Sequence, residues 1–412
     1  MPHLLIAGCG AAGMYAAVHA ARRGCRVTVL DANDRPGHKL SITGKGRCNV
    51  TNDCDLDTFL QNVPRNPRFL YSALSRCMPS DVQAFFEAEG VPLKTERGRR
   101  VFPQSDRAQD IVQALYHAMQ DAGVTVHLNT RVKKLLLRDG VCEGVMLSGG
   151  GEIRADAVLL ATGGMSYPRT GSRGDGYRLA EQAGLTVTPP QPSLIPLETV
   201  EQDAAEMQGL SLRNVTLTVK RGKKEVFSEL GEMLFTHFGI SGPLVLSASC
   251  RMDPQKLSEY LLTVDMKPAL TPEQLDARIL RDFSEQQNKD IANALRGLLP
   301  ASMIPVMLNR AGIPQTQKVH DVTKEQRRAL AETVKRFSLH VSAMRPVTEA
   351  IVTRGGVSVK EIDPNTMEAK KCPGLYIAGE LLDVDAYTGG YNLQIAFATG
   401  FAAAEAAASA GA

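Results

Sequence analysis

The chain has 412 residues, of which 43% are apolar and 22% charged, and a formal net charge of +3. That length predicts two to three domains, and the composition is ordinary for a soluble globular protein. The small net charge does not point to a nucleic-acid or membrane-surface protein. The first strand begins almost at Met1, so no targeting segment is expected, and no stretch is apolar for long enough to span a bilayer. The expected location is therefore cytoplasmic. Eight scattered cysteines include no C-x-x-C pair and no Cys/His group with metal spacing. They read as reduced thiols, exclude a disulfide-reductase mechanism and predict no metal site.

Leu4 to Ala7 is an apolar run, followed by Gly8-Cys9-Gly10-Ala11-Ala12-Gly13, which reads G-x-G-x-x-G. Ala11 to Arg23 carries Met14, Tyr15, Val18 and Ala21 at helical spacing, Gly24 is placed to end that helix, and Arg26 to Leu30 reads as a second strand ending at Asp31. Glycines permit a tight turn and close approach to a pyrophosphate, and a helix N-terminus aims free N–H groups at that anion. Asp31, 18 residues after Gly13, is placed for a ribose hydroxyl. An acid there disfavours a phosphate on the same ribose, so FAD or NAD is expected rather than NADP.

Pro36 to Asn52 has no apolar periodicity and reads as a loop able to wrap phosphates and a polar ring edge. Phe59 to Glu89 reads as two helices punctuated by prolines. Arg97 to Pro103 reads as a basic turn or hairpin, either solvated or facing a phosphate. A helix over 110–122, a strand over 124–128 and a meander over 131–154 follow, with Gly149-Gly150-Gly151 as a hairpin turn. Ala157 to Ala161 is a buried strand running into Thr162, Gly163 and Gly164. Pro189, Pro190, Pro192 and Pro196 signal a domain exit. Residues 194–264 read as β-rich, fitting a small barrel, 272–337 as helical, and 339–343 as a strand. The chain then returns through Gly374 to Glu380 and Ala386 to Leu393 into a final Ala-rich helix running to Ala412.

A strand ending in Gly379-Glu380, then a glycine loop and a helix, looks like the second FAD-binding element of glutathione-reductase-like flavoproteins. In that architecture the final helix N-terminus faces the pyrimidine edge of the isoalloxazine. The segments Gly44 to Asn52, Phe235 to Pro243, Gly379 to Asp385 and Gly389 to Gln394 resemble the BaiN/YhiN family of bacterial FAD-dependent oxidoreductases. That family includes aminoacetone oxidase and proposed bile-acid reductases. Ala386 stands where many members have glycine.

The resemblance implies an α/β fold: a Rossmann-like, glutathione-reductase-type FAD-binding domain interrupted by an inserted β-barrel and a helical subdomain. The expected parts are 1–192 with 346–412, 193–268 with 338–345, and 269–337. It also implies non-covalent FAD. Gly8, Gly10, Ala11, Ala12, Gly13, Asp31 and Ala32 would hold the ADP half. Lys39, Ser41, Gly46, Arg47, Cys48 and Asn49 would line the pyrophosphate and flavin, and Val132 would meet adenine through its backbone. Thr162, Gly163 and Gly164 would pack near the ADP ribose. Gly379, Glu380, Gly390, Asn392 and Leu393 would meet the ribityl chain and ring.

FAD would carry the hydride chemistry, so a protein acid or base is optional. His237, between two aromatics, and Tyr387 are the catalytic candidates; Tyr167 and Tyr391 also stand on cofactor-side loops. No second G-x-G-x-x-G is present, so NADH or NADPH would bind only transiently. Two enzymatic readings follow: an NAD(P)H-linked reductase of a small organic substrate, or an amine or amino-ketone oxidase using oxygen. A third is a flavin-bearing RNA-modifying or partner-binding protein, with Arg97 to Arg100 and the run Lys220, Arg221, Lys223 and Lys224 as its footprint. The near-neutral charge and lack of an aromatic-rich basic face argue against it.

Overall fold

In a computed structural model of the chain, residues 1–410 are described. Gly411 and Ala412, the end of the run expected as helix, lie outside the described residues. The chain divides into two compact units, Met1–Ser193 with Val347–Ala412, and Leu194–Pro346.

The first unit is built on a five-stranded parallel sheet in the order Leu375–Ile377, Ala157–Leu160, His3–Ala7, Arg26–Leu30, Thr125–His127. The three strands His3–Ala7, Ala157–Leu160 and Leu375–Ile377 are buried at every residue. That is why they read as unbroken apolar runs: a parallel sheet is covered on both faces. The first helix, Ala11–Arg22, buries Met14, Tyr15 and Val18. It lies against the last helix, Tyr391–Ser409, so closely that a Cβ on Gly400 would stand 2.5 Å from Ala12 O. Small residues along both helices permit that approach.

The expected pair of helices over 59–89 is four pieces: Leu56–Gln61, a 3₁₀ turn Pro67–Leu70, Tyr71–Arg76 and Pro79–Ala88. Pro67 and Pro79 each start a segment, where a missing N–H costs nothing. Arg97 to Pro103 belongs to a hairpin, Leu93–Glu96 with Arg100–Pro103, whose second strand also pairs with Thr51–Asn52. Pro189, Pro190 and Pro192 do not yet leave this unit. They lie in the strand Val187–Ser193, paired with Val352–Val357 across a register shift between Thr188 and Gln191. A bulge in a two-stranded ladder accommodates residues that cannot donate.

The second unit contains a closed barrel, in the order Leu197–Thr199, Gly239–Ser241, Lys224–Thr236, Ser211–Arg221, Tyr260–Asp265, Phe337–Met344. Val215, Leu217 and Val219 alternate inward with Leu262, Val264, Leu339 and Val341. The helical segment connects two paired barrel strands, Tyr260–Asp265 and Phe337–Met344, and forms part of the same unit. Lys335 Nζ meets Asp265 Oδ2 at 2.6 Å, and Met266 N–H donates to Val334 O at 3.0 Å. Its helices Pro272–Ser284 and Lys324–Lys335 start at Thr271 and Thr323, each in a reciprocal cap with a glutamine. Among the described residues no helix is long and apolar enough to cross a membrane.

Candidate functional site

The glycine motif of the first unit forms a cradle at the sheet edge. Gly8 has φ +112°, and a Cβ there would lie 2.3 Å from Ala161 O; a Cβ on Gly13 would lie 1.9 Å from Gly8 O. Strand, turn and helix therefore close on one another without side chains between them. Gly10 differs: nothing stands within 4 Å of where its Cβ would be. It is the N-cap of Ala11–Arg22, no side chain caps that helix, and no acid lies in its first turn. Helix N–H groups left this way, beside open space, suit a phosphate. Asp31 Oδ2 accepts from Cys9 N–H at 2.6 Å and Oδ1 from Asn33 N–H at 2.8 Å, so the carboxylate is fixed beside the turn with lone pairs remaining. Ala11 is half-buried, Ala12 buried and Ala32 exposed next to Asp31.

The segment after Pro36 is wound more tightly than a loop. Leu40–Gly46 is a kinked 3₁₀ turn, and Gly44, Lys45, Gly46 and Cys48 all have positive φ. Ser41 Oγ donates to His38 O. Arg47 is engaged by the protein: it pairs with Glu96 and Asp106 and stacks 4.2 Å from the Phe102 ring centre. The Cys48 side chain is wholly buried, which pushes its thiol up to about 12 and keeps it protonated. Asn49, with its amide turned to suit its neighbours, bridges Val101 O, Thr51 O and Gly390 N–H.

Lys39 leads to a network that joins four segments. Its Nζ donates to Glu380 Oε2 at 2.5 Å and to Ser166 Oγ at 2.6 Å. Ser166 Oγ donates to Glu380 Oε1 at 2.9 Å, which also accepts from Thr353 N–H at 2.8 Å. Thr353 Oγ1 in turn accepts from Met165 N–H at 2.7 Å. Ser166 and Thr353, which sequence reading passed over, thus fix two expected site residues. No periodic signal marks them, because each acts on a partner far away in the chain. Gly164 is pressed against Thr353, Gly163 has φ +72°, and Gly379 packs on Ala12. Val132 begins the meander and pairs with Leu147.

The last helix starts at Gly390, φ +100°, again with no side-chain cap. A Cβ on Gly390 would lie 2.3 Å from the Thr51 backbone. Asn392 Oδ1 accepts from Ala386 N–H at 3.0 Å and its Nδ2 donates to Ala386 O at 2.8 Å, which fixes the preceding loop despite the missing glycine at 386. Leu393 is half-buried beside it, and Tyr387 is 7% exposed with its N–H donating to Asn62 O. Nearby Asp385 is 1% exposed, accepts from Ser193 Oγ at 2.6 Å and faces Arg65 Nε at 3.4 Å. Burial pushes its carboxyl above the ordinary range. His237 lies in the second unit, at the turn between Lys224–Thr236 and Gly239–Ser241. It is exposed, with its ring set edge-on to Phe238. The expected catalytic pair is therefore divided between the two units.

The first unit fits FAD. Two uncapped helix N-termini stand at its glycine turns, the space beside Gly10 and Gly46 is open, and Thr162 Oγ1 is buried without any hydrogen-bond partner. Ile42 and Met165, 42% and 36% exposed, are apolar side chains of the same loops left uncovered. Among the described residues no group of three or more His, Cys, Asp or Glu is placed to hold a metal. These features define a flavoprotein oxidoreductase with a Rossmann-type FAD-binding domain.

The chain belongs to the family described as HI0933-like protein Rossmann domain, whose model matches residues 2–406. This is the BaiN/YhiN-type family that the motifs indicated. It is 31% identical to a 3-dehydro-bile acid delta(4,6)-reductase of Clostridium scindens, over 99% of both chains. It is 31% identical to a ribosomal RNA dihydrouridine synthase of Escherichia coli, over 97% of this chain and 96% of that one. A protein of the same name from Haemophilus influenzae is 32% identical over 97% of each. Among solved structures, the open conformation of a flavocytochrome c3 fumarate reductase matches with TM-score 0.54 and 16% identity, covering 99% of this chain and 78% of that one. A 3-ketosteroid delta1-dehydrogenase from Sterolibacterium denitrificans matches with TM-score 0.52 and 14% identity over both whole chains. These two likenesses concern the fold.

Proposed function

We propose that the chain is an NAD(P)H-linked reductase that saturates a carbon–carbon double bond conjugated to a carbonyl. One observation carries this reading. Full-length relatives at 31–32% identity have two differently named activities, and both names denote adding two hydrogens across such a bond. When bound, FAD supplies a two-electron carrier able to pass hydride from a nicotinamide to an electron-poor carbon.

The protein's part is to hold charge and supply a proton. The uncapped N-terminus of Tyr391–Ser409 offers partial positive charge where negative charge develops. The Lys39–Glu380–Ser166–Thr353 network braces the neighbouring turns, so those donors do not have to reorganise during reaction. The saturated carbon next to the carbonyl needs a proton, and we assign it to the Tyr387 hydroxyl, on the loop that Asn392 fixes. A nicotinamide has no Rossmann site of its own here, so it binds and leaves before the acceptor enters.

The test is anaerobic spectroscopy of the FAD-loaded protein. NADH or NADPH should bleach the flavin band, and an enone or a uridine-containing RNA should restore it. Tyr387→Phe should slow the restoration by about 10²–10⁴-fold while leaving the bleaching intact. A flavin that neither nucleotide bleaches, but an amino ketone does, would replace this reading with the oxidase one.

A further inference from the structure

Between the 3₁₀ turn Gly379–Leu381 and the start of the last helix, the chain from Leu382 to Tyr387 is buried at every residue, yet it carries two acids, Asp383 and Asp385. Hydrogen bonds pin this segment from several sides. Asp383 N–H donates to Val357 O at 2.9 Å, Asn66 Nδ2 to Asp383 O at 2.7 Å, and Tyr387 N–H to Asn62 O at 3.0 Å. The two acids share one guanidinium. Arg65 Nη1 lies 3.6 Å from Asp383 Oδ1, and Arg65 Nε lies 3.4 Å from Asp385 Oδ1. Both of these oxygens are buried, and neither has a hydrogen-bond partner among the described residues. The remaining oxygens accept from Thr188 Oγ1 at 3.1 Å and from Ser193 Oγ at 2.6 Å.

Asp385 is the deeper of the two acids, 1% exposed against 8% for Asp383. An ionised carboxylate there leaves Oδ1 with neither a donor nor solvent, whereas a neutral one places its own proton on that oxygen. Burial pushes the carboxyl up and the charge of Asp383 adds to it, against the opposite pull of Ser193, Arg65 and Arg354. The Arg354 guanidinium is itself bonded to Gln191 Oε1, at 3.0 and 2.7 Å. Tyr387 follows two residues on and shares this low-polarity surrounding. Negative charge develops on a phenol oxygen as it gives up its proton. A carboxylate this near, with little solvent to screen it, opposes that charge, and a neutral acid does not.

We propose that Asp385 is a positioning residue that acts through Tyr387: in its neutral form it leaves Tyr387 able to deliver a proton to the carbon beside the substrate carbonyl, and in its ionised form it withholds that proton. The inference rests on the reductase reading above and on the proton assigned there to Tyr387. It adds the group that sets the acidity of that hydroxyl. Asp385 exchanges no proton with the substrate; the one delivered is Tyr387's own, which returns from solvent.

The experiment reduces the FAD-loaded full chain with NADPH, mixes it anaerobically with cyclohexenone and follows flavin reoxidation from neutral to alkaline pH. The wild-type rate should step down about tenfold from a low-pH plateau to a high-pH one. Asp385→Asn stays neutral and keeps an oxygen for Ser193 Oγ, so it should hold the upper plateau throughout, and Asp385→Glu should bring the step back. Arg65→Gln removes a charge that favours the ionised form, so the step should move to higher pH, by about one unit. Arg65 is half-buried, and its variant keeps the test open should Asp385→Asn be unstable. Infrared spectra of the wild-type protein should show a protonated-carboxyl band that fades with the same midpoint and is missing from Asp385→Asn. A step that survives in Asp385→Asn, a step that Arg65→Gln leaves in place or moves downward, or the absence of that band overturns the proposal. A flavin that is bleached and reoxidised with no pH step removes the proposal alone and leaves the reductase reading standing. If NADPH does not bleach the flavin, or the enone does not restore it, the reductase reading falls first and carries the proposal with it.

Discussion

One pair of helices in each unit starts in the opposite way to the pair in the other. In the second, Thr271 and Thr323 close Pro272–Ser284 and Lys324–Lys335 with side-chain oxygens, and glutamines answer at the third position. In the first, Ala11–Arg22 and Tyr391–Ser409 begin at Gly10 and Gly390, which have no side chain to cap them. A cap satisfies orphan N–H groups from within the chain, whereas a bare glycine leaves them for something else. Helices of the first kind only hold a fold together. Those of the second leave part of their hydrogen bonding to a ligand, and Ala11–Arg22 and Tyr391–Ser409 both start this way at glycine turns of the first unit.

That contrast breaks most sharply within one motif. Gly13→Ala puts a Cβ 1.9 Å from Gly8 O and should cost on the order of 3–5 kcal/mol, read as loss of soluble protein or of its thermal transition. Gly10→Ala meets nothing within 4 Å. It should leave the apoprotein's Tm within about a degree or two and lower flavin occupancy at least tenfold, measured by absorbance after FAD loading. Equal destabilisation of the two apoproteins would mean that the turn is built for packing alone.

A second probe concerns the far end of the same helix. His19 packs between Tyr15, Phe85 and Phe401, and burial, aided by Arg23 and Arg22, lowers its pKa to about 3. The folded value lies below the ordinary one, so its contribution to stability is full above pH 6.5 and falls as the pH drops toward 3. Denaturant unfolding should show stability falling by up to about 1.4 kcal/mol per pH unit below 6.5. His19→Phe should flatten that slope. The smallest effect is expected at a capped helix: Thr271→Ala should cost about 1 kcal/mol, a Tm shift of about 2–4 °C, with flavin reduction unchanged.

The nucleotide-binding half was legible because its signals are local. Gly8 to Gly13, the helix and Asp31 lie within some thirty residues, and buried parallel strands announce themselves as apolar runs. The barrel was legible from alternation over Leu212 to Val219 and from the family resemblance, though its closing pair, Leu197–Thr199 with Phe337–Met344, was not. What could not be read was bonding across long separations. Asn52 looked like the end of a polar loop, yet it joins Gly98 to Gly389. Arg47, expected to line the pyrophosphate and flavin, pairs with Glu96 and Asp106, which its own neighbourhood in the sequence does not reveal. Asp385 gave no sign that it would be buried beside Ser193.

The close seat of Gly400 on Ala12 bears on the order of events during synthesis. The first helix emerges early from the ribosome, but the surface it packs against is not made until almost four hundred residues have been joined. Leu194–Pro346 is continuous in sequence and meets no such delay. The interior unit is therefore free to fold while the outer one waits, for about 20–80 seconds at about 5–20 residues per second, with the apolar face of Ala11–Arg22 uncovered. The nascent chain is most exposed to chaperones and to aggregation in that interval.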